Sequence, residues 1–281
     1  MISAASQIRP GTFESLFTEA QRPTAAPRQA FGFDARDAFE PLLAKHKPKP
    51  STGGTTPGGS TGGTGSTGGT TPSAHPEWDG LKDTDLIKAI HDFAAKHTSI
   101  TYSQARQVIF GQLDNHGGKV RDVYTGRVIT TKGPPPSSDM NIEHTWPKSH
   151  GVKGTPAESD LHHLFPTDSK ANATRGNYPF GIVTNQKWAQ GGSKFGTDKD
   201  GNTVFEPPDE HKGNVARALF YVASTYGMHI PPAEEAVLKQ WNHLDPVDDA
   251  ERARNDAIEQ IQHNRNAFVD DSTLADRIAD F

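Results

Sequence analysis

Residues 51–73 read STGGTTPGGSTGGTGSTGGTTPS, a run without a charged, aromatic or large apolar side chain. Such a segment buries too little surface to offset the entropy lost on ordering, about 1–2 kcal/mol per residue for the backbone alone. It predicts a flexible Gly/Ser/Thr/Pro-rich linker over 48–74, whose ends lie ~25–30 Å apart by the scaling of Gly-rich coils. The 281 residues therefore divide into an N-terminal arm, 1–47, and one region of ordinary domain size, 75–281. The arm sets Phe13, Phe17, Phe31 and Leu42 among many Pro, Ala and polar residues. That is too little apolar material to fold alone, so a largely disordered or adaptor-like arm is expected. No long apolar run follows a basic start, which predicts neither a conventional signal peptide nor a membrane span.

The chain has no cysteine, which removes disulfides, thiolate catalysis and Cys-type zinc sites together. Its net charge of −5 would disfavour a nucleic-acid partner if it were evenly spread. Instead residues 101–200 hold 12 Lys plus Arg against 9 Asp plus Glu, whereas 201–281 hold 7 against 15. An anionic substrate is tolerated in the first of these parts. The same part concentrates histidine: His144, His150, His162 and His163 fall within twenty positions of a chain with 13 His in all, where about one is expected by chance.

Periodicity predicts a helix-rich α+β domain. DTDLIKAIHDFAAKH carries apolar residues at helical spacing behind Asp83 as a cap, and a second helix is expected after Ser103 to about Leu113. KVRDVYTGRVIT, Lys119 to Thr130, reads as a hairpin about its Tyr-Thr-Gly turn. Extended pieces at about Met140–Thr145 and Leu161–Phe165 lead into TDSKANATRGN, a helix capped by Thr167 or Asp168 and ended by Gly176. The remainder reads as mostly helical: NVARALFYVASTYG to Gly227, a helix after Pro231 and Pro232, and one capped by Asp245 with Pro246 at its first position.

Glu143 and His144 are adjacent at the end of an expected strand, where Pro147 biases the chain to bend. Successive strand side chains alternate faces, so only a strand that stops there lets both serve one site. A carboxylate suits Mg²⁺ and an imidazole suits a general base at neutral pH. On the following helix Asn172 and Arg175 share a face. Asn172 offers a second hard oxygen for the metal. Arg175 offers a fork for phosphate, or for the carbonyls of its own helix end. Metal, base and anion clamp without a nucleophilic side chain describe phosphodiester hydrolysis by water. No H-E-x-x-H zinc motif occurs. Lys148 and Lys170 read as a basic rim for the phosphate backbone. Tyr124 and Arg127 read as an outer wall, with Arg127 a candidate phosphate contact. Arg217, on an apolar helix, needs either an acidic partner or the substrate. His163 is grouped with the catalytic residues, and Trp146 with the core.

The segments MNIEHTWPKS, SDLHHLFPTDSKANATRGNYPFG, FEPPDEHKGNVARALFYVASTYG and WNHLDPVDDAERARNDAIEQIQHNRNAF resemble, in that order, the bacterial endonuclease I family. The resemblance spans about residues 85–270. It implies a ββα-metal (His-Me finger) fold and a metal-dependent, largely sequence-nonspecific endonuclease, secreted or periplasmic, leaving 5′-phosphates. On it, Glu143 and Asn172 correspond to the Mg²⁺ ligands, with Mn²⁺ or Ca²⁺ as substitutes, and His144 to the general base. Arg175 and Asn177 match its R-x-N motif. The expected partner is DNA, with RNA as a second substrate, and the expected state a monomer. Two rivals remain open at this stage: a nonenzymatic nucleic-acid-binding module with a structural metal, and a metal phosphodiesterase for small substrates.

Overall fold

The computed structural model describes residues 74–281. The arm at 1–47 and all but the last residue of the linker at 48–74 lie outside the described residues. Mixed helix and sheet are found, as the α+β expectation requires.

Helix α1 (Asp83–Ala94) starts one residue earlier than its capping pattern suggests, with Lys82 at the N-cap. The Asp83 backbone has φ of +45°, and its carboxylate accepts from the amide of Ala279 (2.8 Å). A contact nearly two hundred residues away thus engages the side chain expected to cap. Helix α2 (Tyr102–Val108) is fixed by a reciprocal cap between Thr101 and Gln104 and continues into a π-turn over Ile109–Leu113. The predicted hairpin forms from β2 (Lys119–Arg121) and β3 (Val128–Thr130), with β1 (Asn115–His116) beside β2.

Strands β4 (Met140–His144) and β5 (Leu164–Asp168) pair antiparallel, with Glu143 opposite Phe165 and His144 opposite Leu164. Residues Leu161–His163, expected to be extended, form a 3-10 turn. The buried Asp160 carboxylate organises it by accepting from the His162 amide (3.0 Å), Gln262 (2.9 Å), Tyr221 (2.7 Å) and Tyr226 (2.6 Å). Helix α3 (Ser169–Arg175) follows β5 directly, with Asp168 accepting from the amides of Lys170 and Ala171.

The expectation that the remainder is mostly helical fails at β6 (Asn185–Gln190), β7 (Ser193–Thr197) and β8 (Thr203–Glu206), an antiparallel sheet. Gly191 and Gly192, both at positive φ, make the two-residue turn between β6 and β7. A Cβ on Gly191 would stand 2.2 Å from the Thr125 carbonyl oxygen, so this turn presses against the loop that carries Tyr124. Helix α4 (Lys212–Tyr226) is buried on almost every side and forms the centre of the larger core, ending at Gly227 in the left-handed conformation. Helix α5 (Pro232–Leu244) packs beside it. Helix α6 (Asp249–Gln262) is capped by Asp248 rather than Asp245, because the Asp245 carboxylate accepts from Gly213 (2.8 Å). The short α7 (Ala267–Asp270) packs against α4, and a 3-10 turn over Ser272–Arg277 follows it. A smaller apolar cluster of Ile109, Phe110, Met140, Ile142, Leu164 and Ile258 ties α2, the β4–β5 pair and α6 together. Trp146 is buried in the larger core, as expected.

Candidate active site

Strand β4 stops at His144, and this stop lets neighbouring side chains serve one site. The Arg175 guanidinium, at the end of α3, donates to the carbonyls of His144 (3.3 Å) and Thr145 (2.8 Å). These are carbonyls that β4 would otherwise offer to a sheet. Glu143, His144, Lys148, Asn172, Arg175 and Asn177 all line one open cleft of about 530 Å³, a size usual for ligand sites.

Glu143 is 1% exposed. Its Oε1 accepts from the Tyr124 hydroxyl (2.9 Å) and faces Arg175 Nη1 (3.2 Å), while Oε2 receives no hydrogen bond among the described residues. Burial raises its pKa, against the pull of Arg175 and of the Tyr124 hydrogen bond. A bound cation would offset that desolvation.

His144 contacts the carbonyl oxygen of Glu158 through Nε2 (2.9 Å). A carbonyl only accepts, so Nε2 carries the hydrogen, and the neutral ring keeps its lone pair on Nδ1. Burial, reinforced by His163, pushes the pKa down to about 3, which holds the imidazole in its base form through the neutral range. Asn172 donates its amide to Asn141 Oδ1 (2.7 Å) and to the Ile142 carbonyl (3.0 Å). Both donor hydrogens are thereby engaged and the amide oxygen is free to bind. Asn177 donates to Ser149 (3.3 Å) on the same cleft. Among the described residues no group of three or more His, Cys, Asp or Glu could hold a metal. The donors at hand are one carboxylate oxygen and one amide oxygen, both hard, which fit Mg²⁺ held largely through water.

Four expected site residues stand elsewhere. Arg127 donates to Asp168 (2.9 Å) and Asp139 (2.8 Å), and these carboxylates neutralise it away from the cleft. Arg217 is fully buried and forks onto Glu251 (2.7 and 2.5 Å) with Asn242 and the Asp245 carbonyl, so the acidic partner is the right alternative. Lys170 is exposed outside the cleft lining. His163 is fully buried behind His144, ring centroids 5.8 Å apart, with Nε2 donating to the Ala157 carbonyl (2.6 Å). It packs against the candidate base and touches no solvent. Arg175 lines the cleft but is 1% exposed, and its guanidinium lies over the Phe180 ring (4.5 Å).

Tyr124, expected on an outer wall, is buried and donates to Glu143. Asn141, which orients Asn172, and Tyr102 and Arg106, which line the cleft, are not among the residues expected there from the sequence. The only sequence signal for the last two is their spacing of four on α2.

Comparison with known proteins gives a consistent result. The extracellular ribonuclease of Bacillus amyloliquefaciens is 37% identical over 241 residues, 74% of this chain and 80% of the relative. The extracellular ribonuclease of Bacillus subtilis is 34% identical over 256 residues, 78% of this chain and 85% of the relative. A periplasmic deoxyribonuclease of Aeromonas hydrophila is 29% identical over 113 residues, 40% of this chain and 48% of the relative. The model of the family described as Endonuclease I matches residues 85–273, most of the described domain, and the chain belongs to that family.

Proposed function

We propose that the protein is a metal-dependent endonuclease of the ββα-metal type that hydrolyses the phosphodiester backbone of RNA and DNA with little sequence preference. The observation that carries this reading is His144, with Nε2 tied to a carbonyl and Nδ1 unprotonated, adjoining a buried carboxylate that keeps one uncommitted oxygen. Glu143 and Asn172 would hold Mg²⁺, with Mn²⁺ or Ca²⁺ as substitutes. The bound ion would supply positive charge to the phosphate and to the departing oxygen.

The remaining roles fall to the chain itself. His144 Nδ1 takes a proton from water as the water oxygen bonds to phosphorus, the bond to O3′ breaks, and O3′ takes a proton from solvent, leaving a 5′-phosphate and a 3′-hydroxyl. An anionic phosphate drawn into the cleft raises the proton affinity of the imidazole as transfer proceeds. Tyr124 and Arg175 fix the Glu143 carboxylate, Asn141 fixes the Asn172 amide, and Glu158 fixes the His144 tautomer. Backbone chemistry of this kind does not read bases, and similarity to both ribonucleases and deoxyribonucleases supports action on both nucleic acids. The relatives named extracellular or periplasmic support an exported protein, and no helix among the described residues is long and apolar enough to cross a membrane. A monomer suffices for this site.

The test is incubation of the full chain with supercoiled plasmid and with RNA, in Mg²⁺ and in chelator. Cleavage of both, leaving 5′-phosphates, is expected only with metal, and His144→Ala should lower turnover by about 10²- to 10⁴-fold. Cleavage that persists in chelator or in His144→Ala would overturn the mechanism. Tight binding without cleavage would favour a binding module, and a nitrophenyl diester consumed faster than polynucleotide would favour a small-substrate enzyme.

A further inference from the structure

The cleft holds cations that this chemistry leaves unused. Arg106 lies one turn after Tyr102 on α2, so the two share a face, and both line the cleft with His144. The guanidinium is held by neutral acceptors: Nη1 donates to Ser137 Oγ (2.8 Å) and Nη2 to the Pro135 carbonyl (3.1 Å). Among the described residues it has no carboxylate partner. Of its five N–H groups, two are so engaged, which leaves three for an anion. This sets it apart from the other arginines near β4. Arg175 faces Glu143, and Arg127 is neutralised by Asp139 and Asp168.

Lys148, also in the cleft lining, likewise has no anionic partner among the described residues, and its Nζ lies 5.3 Å from the centroid of the Tyr102 ring. That ring stands 5.5 Å from the His144 imidazole, tilted by 35°. Imidazole, phenol face and two uncompensated cations therefore form one continuous wall. The single carboxylate lining the cleft, Glu143, is paired with Arg175, so the wall attracts anions.

Resting on the nuclease reading, we propose that Tyr102, Arg106 and Lys148 form a subsite for the nucleotide adjoining the scissile bond. Arg106 forks onto the neighbouring, uncleaved phosphate, Lys148 adds charge, and Tyr102 offers its ring face to the sugar or base. The subsite makes a polynucleotide a better substrate than an isolated diester, because a diester has no second phosphate to present.

The test is binding of a fluorescein-labelled single-stranded oligonucleotide to the full chain in chelator, followed by anisotropy across a series of salt concentrations. Arg106→Gln should weaken binding about 10-fold or more at low salt and flatten the plot of log affinity against log salt by about 0.7. Arg106→Lys should restore the slope but only part of the affinity. Lys187→Gln, at an exposed position on β6 outside the cleft, should change neither. In metal, Arg106→Gln should raise KM for RNA more than it lowers kcat. Should Arg106→Gln fail to fold in a thermal melt, Lys148→Gln at its exposed site carries the same slope prediction. A folded variant with wild-type slope and affinity overturns the subsite. If His144→Ala still abolishes cleavage in that case, the nuclease reading stands alone. A wild-type chain that neither binds nor cleaves overturns both.

Discussion

Replacing Arg175 by methionine separates a structural role from a chemical one. In the native chain the guanidinium donates to two carbonyls at the end of β4, faces the Glu143 carboxylate at 3.2 Å and lies over Phe180 at 4.5 Å. Methionine fills similar space with none of those donors. It leaves a carboxylate buried beside a single tyrosine hydroxyl, and removing one partner of a buried pair costs about 3–5 kcal/mol. Net stabilities run about 5–15 kcal/mol, so a large part of the total is at stake. In a domain of this size 1 kcal/mol moves Tm by about 2–4 °C, so calorimetry should show a drop of ~6–20 °C at neutral pH. Burial already raises the Glu143 pKa. Loss of Arg175 raises it further, so the deficit should shrink in acid, where the carboxyl is neutral. Arg175→Met combined with Glu143→Gln should lose less than the sum of the single changes, by about 0.5–3 kcal/mol. If Arg175→Met melts within about 2 °C of wild type while turnover collapses, the guanidinium acts on the substrate, as its sequence position first suggests.

Two further outcomes are expected. The Asp160 carboxyl is held down to about 2 from an ordinary 3.8: burial raises it, but His162, His163 and hydrogen bonds from Tyr226 and Gln262 outweigh burial. Its folded pKa lies below the unfolded one, so its contribution is complete above pH ~4 and lost as pH falls toward ~2. The stability gap between wild type and Asp160→Asn should therefore narrow as pH falls through that window in urea titrations; a constant gap would refute this. Asn141→Ala removes the acceptor that orients the Asn172 amide and should weaken divalent-ion binding by about 10- to 100-fold in calorimetric titration, whereas unchanged affinity would show that Asn172 needs no such support.

Much of the centre of the fold is legible because its signals are local. Pro147 marks the end of β4, Asp168 caps α3, Gly176 ends it, and these put Glu143, His144 and Asn172 on one cleft. What escapes the sequence is settled by partners distant in the chain. Asp245 and Asp248 are both competent caps for α6, and the choice falls to Asp248 because the Asp245 carboxylate meets Gly213 while its carbonyl meets Arg217. An arginine carries no mark of whether its carboxylates lie 41 or 34 positions away, so Arg127 and Arg217 look as available as Arg106, which alone of the three reaches the cleft. Strand β6 is exposed and polar, NQKWAQ, and lacks the alternation that a half-buried strand shows. Only the Gly191-Gly192 turn signals it. Tyr124 is separated from Glu143 by 19 positions, and nothing in a Tyr-Thr-Gly turn says that its hydroxyl points inward.

The central proposal is one divalent ion shared by Glu143 and Asn172, beside His144. Anomalous diffraction from crystals soaked in Mn²⁺ tests this directly. The predicted result is a single peak about 2.1–2.2 Å from both Glu143 Oε2 and Asn172 Oδ1, abolished in Glu143→Gln. A strong peak elsewhere, with both of these oxygens more than about 4 Å from it, would contradict the account.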